Sequence, residues 1–347
     1  MTTTLTRPST RHPESGRLAP RRRIRPARGA GVLVLGCALL GGLAAASLVV
    51  GVADISVAGV LAGGPERDVL LVSRLPRTLA LVLAGAGLAV AGLIMQLLTR
   101  NVFVEPSTAG TLDFASLGLL ACALLWPDAP VWMRMTLATL AALAGTGLFL
   151  RMLRAVPVRD VLLVPLLGLM LGGVVGAFTT FVAYRTDLLQ SLGAWTTGDF
   201  SAVLAGRFEL LWVAGALVLV AGFVADRFTV AGMGESFTTN LGLDYRRTIA
   251  LGLTVVAVVS ATVVVTVGAL PFLGLVVPNI VRAIVGDNAR RAVPLVALLG
   301  AGMVMGCDLI ARLVIHPFEM PIGTVMGVLG ALAFLAILLG RRGPRVR

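Results

Sequence analysis

Lysine is missing altogether: all 29 basic side chains among the 347 residues are arginine. A P-loop needs a lysine on the nucleotide phosphates, so the chain is not itself an ATPase of that kind. Schiff-base chemistry is excluded for the same reason. Histidine is nearly as scarce. His12 and His316 are the two present, and no HExxH motif, Cys/His cluster or GxSxG elbow occurs. That leaves no catalytic set, no metal site and no cofactor to expect. Cys37, Cys122 and Cys307 all lie inside apolar runs, so they are expected as reduced, packed thiols and not as a disulfide framework. Charge is the last shortage. Asp, Glu, Lys and Arg supply 13% of the chain, half of what a soluble domain carries, about 25%.

Apolar sequence takes the place of what is lacking. Hydrophobic residues make up 57% of the chain and the mean hydropathy is +0.96. The solvent is therefore lipid, and a helical bundle of this length can be one unit. A net charge of +12 with a pI near 11.4 can suggest nucleic acid. Here the arginines sit in short stretches between apolar runs, which is topology signalling, and no nucleic-acid partner is expected. Glycine reaches 41 residues. Runs such as AGAGLAVAG and LGLMLGGVVGAF place small residues three and four apart, which lets helix backbones approach closely in lipid.

Residues 1–28 are rich in Arg, Pro, Thr and Ser, and the apolar run that follows, Gly31 to Ala53, is long enough to span a membrane with no evident cleavage site. Segment 1–30 thus reads as a disordered basic cytoplasmic tail and the first helix as a retained span. A span takes about 20 apolar residues. Ten stretches qualify: 31–53, 75–98, 108–126, 131–151, 160–184, 207–226, 247–268, 272–286, 292–315 and 321–340. The eighth is short and follows Pro271. Ten spans return both termini to one side. With the N-terminus inside, the inner segments hold the tail arginines, Arg100, Arg151, Arg154, Arg159, Arg227, Arg246, Arg247, Arg290, Arg291 and the four after Gly340. The outer segments hold Arg67, Arg74, Arg77, Arg134, Arg185, Arg207 and Arg312. The excess of inner arginines puts both termini in the cytoplasm of a multi-pass membrane protein, expected in the plasma membrane, with 31–343 as one ten-helix transmembrane domain.

Charges inside a membrane are functional suspects by default. Asp113 and Asp308 are the candidates. Arg312 follows Asp308 by four residues on one helix face, so a structural ion pair is the preferred reading over a proton relay. TTGDF at 196–200 contains the Gly-Asp pair of an intramembrane aspartyl protease, but it falls in an outer loop with no second intramembrane Asp to match it.

Three polar segments stand out against this background: QLLTRNVFVEPSTAG at 96–110, ADRFTVAGMGESFTTNLGLDYRR at 225–247, and GALPFLGLVVPNIVRAIVGDNARRAVP at 268–294. With SRLPRTLA at 73–80, and with DLIAR and FEMPIG later in the chain, they resemble the permease subunits of ATP-driven importers for ferric siderophores and cobalamin, the FecCD family. Two positions depart from the family pattern. Its usual Asn-Pro is Asn101-Val102 here, and its usual Pro-His is Pro278-Asn279. NVFVEPSTAGTLDFA and the 225–247 segment look most like the branch serving anguibactin-, enterochelin- and petrobactin-type siderophores.

The resemblance implies an all-α, polytopic membrane protein of about ten transmembrane helices with the cobalamin-importer-permease-like, type II ABC importer fold. It implies a permease subunit that carries a ferric, catecholate-like siderophore and performs no bond chemistry. Implied partners are a second permease, with a heterodimer favoured and a homodimer possible, two ATPase subunits, and an extracytoplasmic siderophore-binding protein. By the same resemblance, Asn101, Phe103, Pro106 and Ser107 belong to an inner gate, helped by Thr108 and Gly110. The residues alone leave an ordinary inner turn equally open. Segment 225–247 becomes the ATPase-coupling element, carried by Asn240, Leu241, Gly242, Leu243, Tyr245 and Arg246, with Ser236 as an N-cap and a helix stop near Gly242. Arg74, Arg77 and Arg312 become binding-protein docking groups, since a planar guanidinium fork suits acidic partners. Snorkelling anchors are the plain alternative, and Arg312 has Asp308 as a rival partner. The competing class is an ion- or proton-coupled secondary transporter, against which the long cytoplasmic segment argues.

Overall fold

A backbone in lipid must satisfy its own amides, which leaves helices as the open choice for Leu-, Val-, Ala- and Gly-rich runs. The computed structural model describes residues 27–51, 64–107, 110–155, 163–315 and 318–340, and among them every regular element is a helix. Residues 1–26, which make up most of the predicted tail, lie outside the described residues, as do Thr108 and His316. In chain order the helices are α1 (Ala27–Val49), α2 (Pro65–Thr99), α3 (Thr111–Leu125), α4 (Val131–Ala155) and α5 (Leu163–Arg185). Then come α6 (Leu189–Thr196), α7 (Leu211–Phe223), α8 (Ala225–Ala231), α9 (Glu235–Asn240) and α10 (Tyr245–Val267). The last three are α11 (Leu273–Val285), α12 (Ala289–Leu313) and α13 (Ile322–Gly340).

Seven of these, α1, α2, α4, α5, α10, α12 and α13, are long and apolar enough to cross a membrane, and α7 with α8 makes an eighth only as a pair bent by 66°. Helices α3 and α11 have 15 and 13 residues. At 1.5 Å per residue they reach about 22 and 20 Å, short of a hydrocarbon core of about 30 Å. Each predicted stretch therefore holds a helix, but those of the third and eighth are shorter than a full crossing. Both short helices adjoin irregular backbone, and that irregular backbone forms the candidate site.

Helix α2 is the axis of the bundle, packed on α7, α10, α11 and α12. It begins ten residues before the predicted start, at Pro65, and passes through a π-helical turn at Leu70–Arg74. Its close crossings use glycine pairs. A Cβ on Gly85 would stand 2.7 Å from the Gly300 carbonyl oxygen of α12, and one on Gly92 would overlap the Gly274 carbonyl oxygen of α11. Side chains at those positions would push the helices apart, so part of the glycine excess is explained by packing.

Candidate functional site

The first and third polar segments, far apart in sequence, meet at the end of α2. The helix stops where Arg100 takes a left-handed conformation (φ 52°), and the Asn101 side chain then accepts from the Phe103 N–H at 2.9 Å to turn the chain. Across from this turn, Pro278 sits inside α11. Proline has no N–H, so the carbonyl four residues earlier, that of Gly274, loses its helical donor. The buried Gln96 amide supplies one at 3.3 Å. The Gln96 oxygen accepts from Arg282 at 3.4 Å, and Arg282 also donates to Asp287 at 2.7 Å.

The two departures from the family pattern touch each other. The Asn279 amide donates to the Val102 carbonyl at 2.8 Å. Glu105, buried like its neighbour Pro106, completes the clamp: its carboxylate accepts from the backbone N–H groups of Phe272, Gly274 and Leu275 and from the Ser107 hydroxyl. Those amides belong to the first turn of α11, which has no side-chain cap of its own. An anion there satisfies orphan donors and meets the positive end of the helix dipole. Phe103 packs edge-on against Phe334 of α13, with ring centroids 6.0 Å apart. Asn101, Phe103, Pro106 and Ser107 therefore lie in one irregular segment bound to α11 and touching α13.

Segment 225–247 folds as a bent tail of the sixth span. After α7 the chain turns into α8, then into α9, whose N-cap is Gly234 with φ 114°. Ser236 lies inside the first turn of α9 and does not cap it. The predicted stop holds: Gly242 has φ 78°, and Asp244 caps α10 by accepting from Arg247 at 3.0 Å. Thr238, fully buried, donates to the Gly234 and Val230 carbonyls and pins α9 onto α8. Asn240, Leu241, Gly242 and Arg246 are exposed, whereas Leu243 and Tyr245 are half-buried, Tyr245 against the core. The exposed apolar groups are Leu241, Phe237 and Met233. Phe237 and Leu241 are four apart and share a face.

Arg74, Arg77 and Arg312 are placed in the interior, each less than a tenth exposed. Arg77 pairs with Asp308 at 2.8 Å and with Glu319 at 2.7 Å. Arg312 pairs with the other Asp308 oxygen and donates to the Val50 carbonyl at 2.9 Å. Arg74 donates to the Leu48 and Val49 carbonyls at 2.6 and 2.7 Å. The cluster ties the end of α1 to α2 and α12. The sequence reading had these guanidiniums facing outward; here they are turned onto carbonyls and carboxylates of their own chain, because a charge this deeply packed needs a partner. The outer arginines that are exposed are Arg67, Arg185 and Arg207. TTGDF is a structural corner: Asp199 turns the chain through Ser201, and its N–H bonds the Val267 carbonyl.

Residues 38–340 match the profile of the FecCD transport family. The chain belongs to that family. It is 45% identical over 301 residues to the petrobactin import system permease protein YclN of Bacillus subtilis (strain 168), covering 86% of this chain and 95% of that one. It is 43% identical over 270 residues to the ferric-anguibactin transport system permease protein FatD of Vibrio anguillarum (strain ATCC 68554 / 775), covering 78% and 86%. Among solved structures, one described as the inward-facing conformation of an ABC transporter of metal-chelate type superposes with a TM-score of 0.77. It covers 90% of this chain and 99% of that one at 23% identity.

As a FecCD protein the chain is a transport component and not an enzyme. Within this FecCD fold, sequence reasoning gave no role to Gln96, Glu105 or Glu319, and named Asn279 only as a departure from the family pattern. The signal for Gln96, Glu105 and Asn279 was present. Each is a polar residue in an apolar motif beside a proline or a helix end, where backbone groups go without helical partners. Glu319 lies in the FEMPIG loop, and nothing in its local sequence points to Arg77.

Proposed function

We propose that this chain is the permease subunit of an ATP-driven importer that carries a ferric, catecholate-like siderophore across the cytoplasmic membrane. The observation that carries the proposal is the clamp: two family motifs meet to close an irregular segment against a helix of 13 residues, too short for a full crossing. Irregular backbone at membrane depth is tolerated where it lines a path or is covered by protein. The relatives named for petrobactin and ferric-anguibactin import support the cargo class.

In this reading both termini and α8–α9 are cytoplasmic, and residues 100–110 form the inner gate. Two ATPase subunits drive a pair of permeases, the second being a similar but different chain, and an extracytoplasmic binding protein delivers cargo. The exposed Phe237 and Leu241, with Asn240, Gly242 and Arg246 beside them, face the ATPase. Leu243 and Tyr245 hold that surface to the bundle. At the outer end, the buried cluster of Arg74, Arg77 and Arg312 holds the rim on which the binding protein docks, and Arg67 and Arg207 present charge to it.

The test is iron uptake by proteoliposomes holding the chain with its ATPase, second permease and binding protein. Ferric catecholate should accumulate only with ATP inside. Accumulation driven by a proton gradient without the ATPase would reverse the assignment to a secondary transporter. Within the same system Leu241→Asp is expected to leave assembly of the permease pair intact and to abolish cargo-stimulated ATP hydrolysis, read as phosphate release. A charge placed on an apolar contact removes its burial and leaves an ion to desolvate. Normal hydrolysis and transport by the assembled variant would make α9 a plain loop.

A further inference from the structure

Asp113 is a carboxylate near the middle of the membrane that neither the clamp nor the outer arginine cluster uses. Its depth follows from its neighbours. Helix α3 begins beside α5, since a Cβ on Gly110 would stand 3.4 Å from the Gly172 Cα. Gly172 and Gly176 bracket the midpoint of the membrane-crossing helix Leu163–Arg185. A Cβ on Gly172 would stand 2.5 Å from one Asp113 oxygen, and a Cβ on Gly176 would stand 3.1 Å from the other. Helix α5 thus carries a notch one turn long, and the carboxylate occupies it.

The carboxylate opens onto a cavity of about 260 Å³ shared with Ser116, Thr179 and Thr196, between α3, α5 and the short helix α6. Thr179 spends its proton on the Val175 carbonyl at 2.8 Å and Thr196 on the Leu192 carbonyl at 2.9 Å. Their lone pairs remain for the cavity. Asp113 accepts its own N–H, and no basic side chain among the described residues pairs with it. Asp113, Thr179 and Thr196 present acceptors to the cavity, and the Ser116 and Thr180 hydroxyls can turn either way. The charge in the lining is negative, so the cavity favours a cation bearing N–H donors over an anion. An ionisable group at this depth is costly to keep, and transporters place substrate contacts near the midplane beside discontinuous helices. Here the discontinuous helices are α3 and α6.

We propose that Asp113 is a specificity residue: its cavity receives a protonated amine of the cargo during passage. This rests on reading the chain as a siderophore permease. The test uses the complete reconstituted importer and two synthetic ferric tris-catecholates matched in size, one with a protonated secondary amine in its linker and one with a methylene there. Asp113→Asn should lower kcat/KM about tenfold for the amine-bearing chelate, as the loss of a charged hydrogen bond implies, and leave the methylene chelate unchanged. Thr196→Val, isosteric and on the opposite wall, should give a smaller loss in the same direction. Equal losses for both chelates would make the carboxylate a structural group, and no loss for either would remove it from the path. A sodium requirement that vanishes in Asp113→Asn would assign the cavity to a free metal cation and overturn the proposal. If the wild-type importer carries neither chelate, the siderophore reading itself fails, whatever Asp113 does.

Discussion

Arg77→Ala is expected to remove about 3–5 kcal/mol of stability, the usual effect of taking one partner from a buried ion pair. Asp308 is fully buried, Arg77 is nearly so, and Glu319 leans on the same guanidinium. The substitution leaves Asp308 with Arg312 alone and frees the loop after α12 from α2. Recovery of monodisperse protein after a heating series in detergent is the measurement, and the midpoint should fall sharply. The double variant Arg77→Ala/Glu319→Gln should recover part of the loss, because Arg312 keeps Asp308 and no carboxylate is then left without its guanidinium. Arg67→Glu/Arg207→Glu should behave in the opposite way. Both arginines are exposed, so folding should be unaffected while binding-protein association slows, most at low salt. An Arg77→Ala protein as stable as wild type, but slow to bind its binding protein, would return Arg77 to the docking surface.

How far the sequence revealed this site depends on the range of each interaction. Composition and run length were enough for the all-α membrane class, because lipid leaves few choices for an apolar chain. Local chemistry was enough for the turn at Asn101, the stop at Gly242 and the Asp308–Arg312 pair four residues apart. The rest depended on long-range contacts. Arg77 meets Asp308 across 231 positions and Glu319 across 242, and neither distance leaves a periodic trace. The arginines were read as outward-facing because topology counting assigns them a side of the membrane but says nothing of burial. Run length also missed how short α3 and α11 are. Their apolar stretches look like spans until Gly110 is found beside Gly172. Ser236 as N-cap was a reasonable reading of a polar residue before a short helix. Gly234 displaced it because the turn from α8 into α9 needs φ 114°, which serine adopts only with strain.

Glu105→Ala is expected to open the gate segment. Its carboxylate accepts the first-turn N–H groups of α11 and the Ser107 hydroxyl, and alanine accepts none of them. Leu275 N–H keeps the Phe272 carbonyl, but each other buried donor left without a partner costs about 1–3 kcal/mol, so water or a rearranged segment has to fill the place. Two contacts would still hold the segment, from Asn279 to Val102 and from Phe334 to Phe103, while Gln96 keeps α2 on α11. The expected result is therefore a loosened gate on a folded bundle. Glu105→Gln keeps the shape and one acceptor oxygen but loses the charge at the helix end, worth about 0.3–1 kcal/mol at exposed sites and up to about 2 where buried, and should fall between alanine and wild type. The readout is Val102→Cys in an otherwise cysteine-free chain, labelled by a water-soluble maleimide in proteoliposomes without ATP. Labelling should be slow where Glu105 is retained, faster with Glu105→Gln and fastest with Glu105→Ala, while heat stability of the bundle changes less than in Arg77→Ala. Equal labelling rates in all three would mean that the carboxylate only caps α11. The gate would then be held by Asn279 and the Phe103–Phe334 contact, and Asn279→Ala would be the variant that opens it.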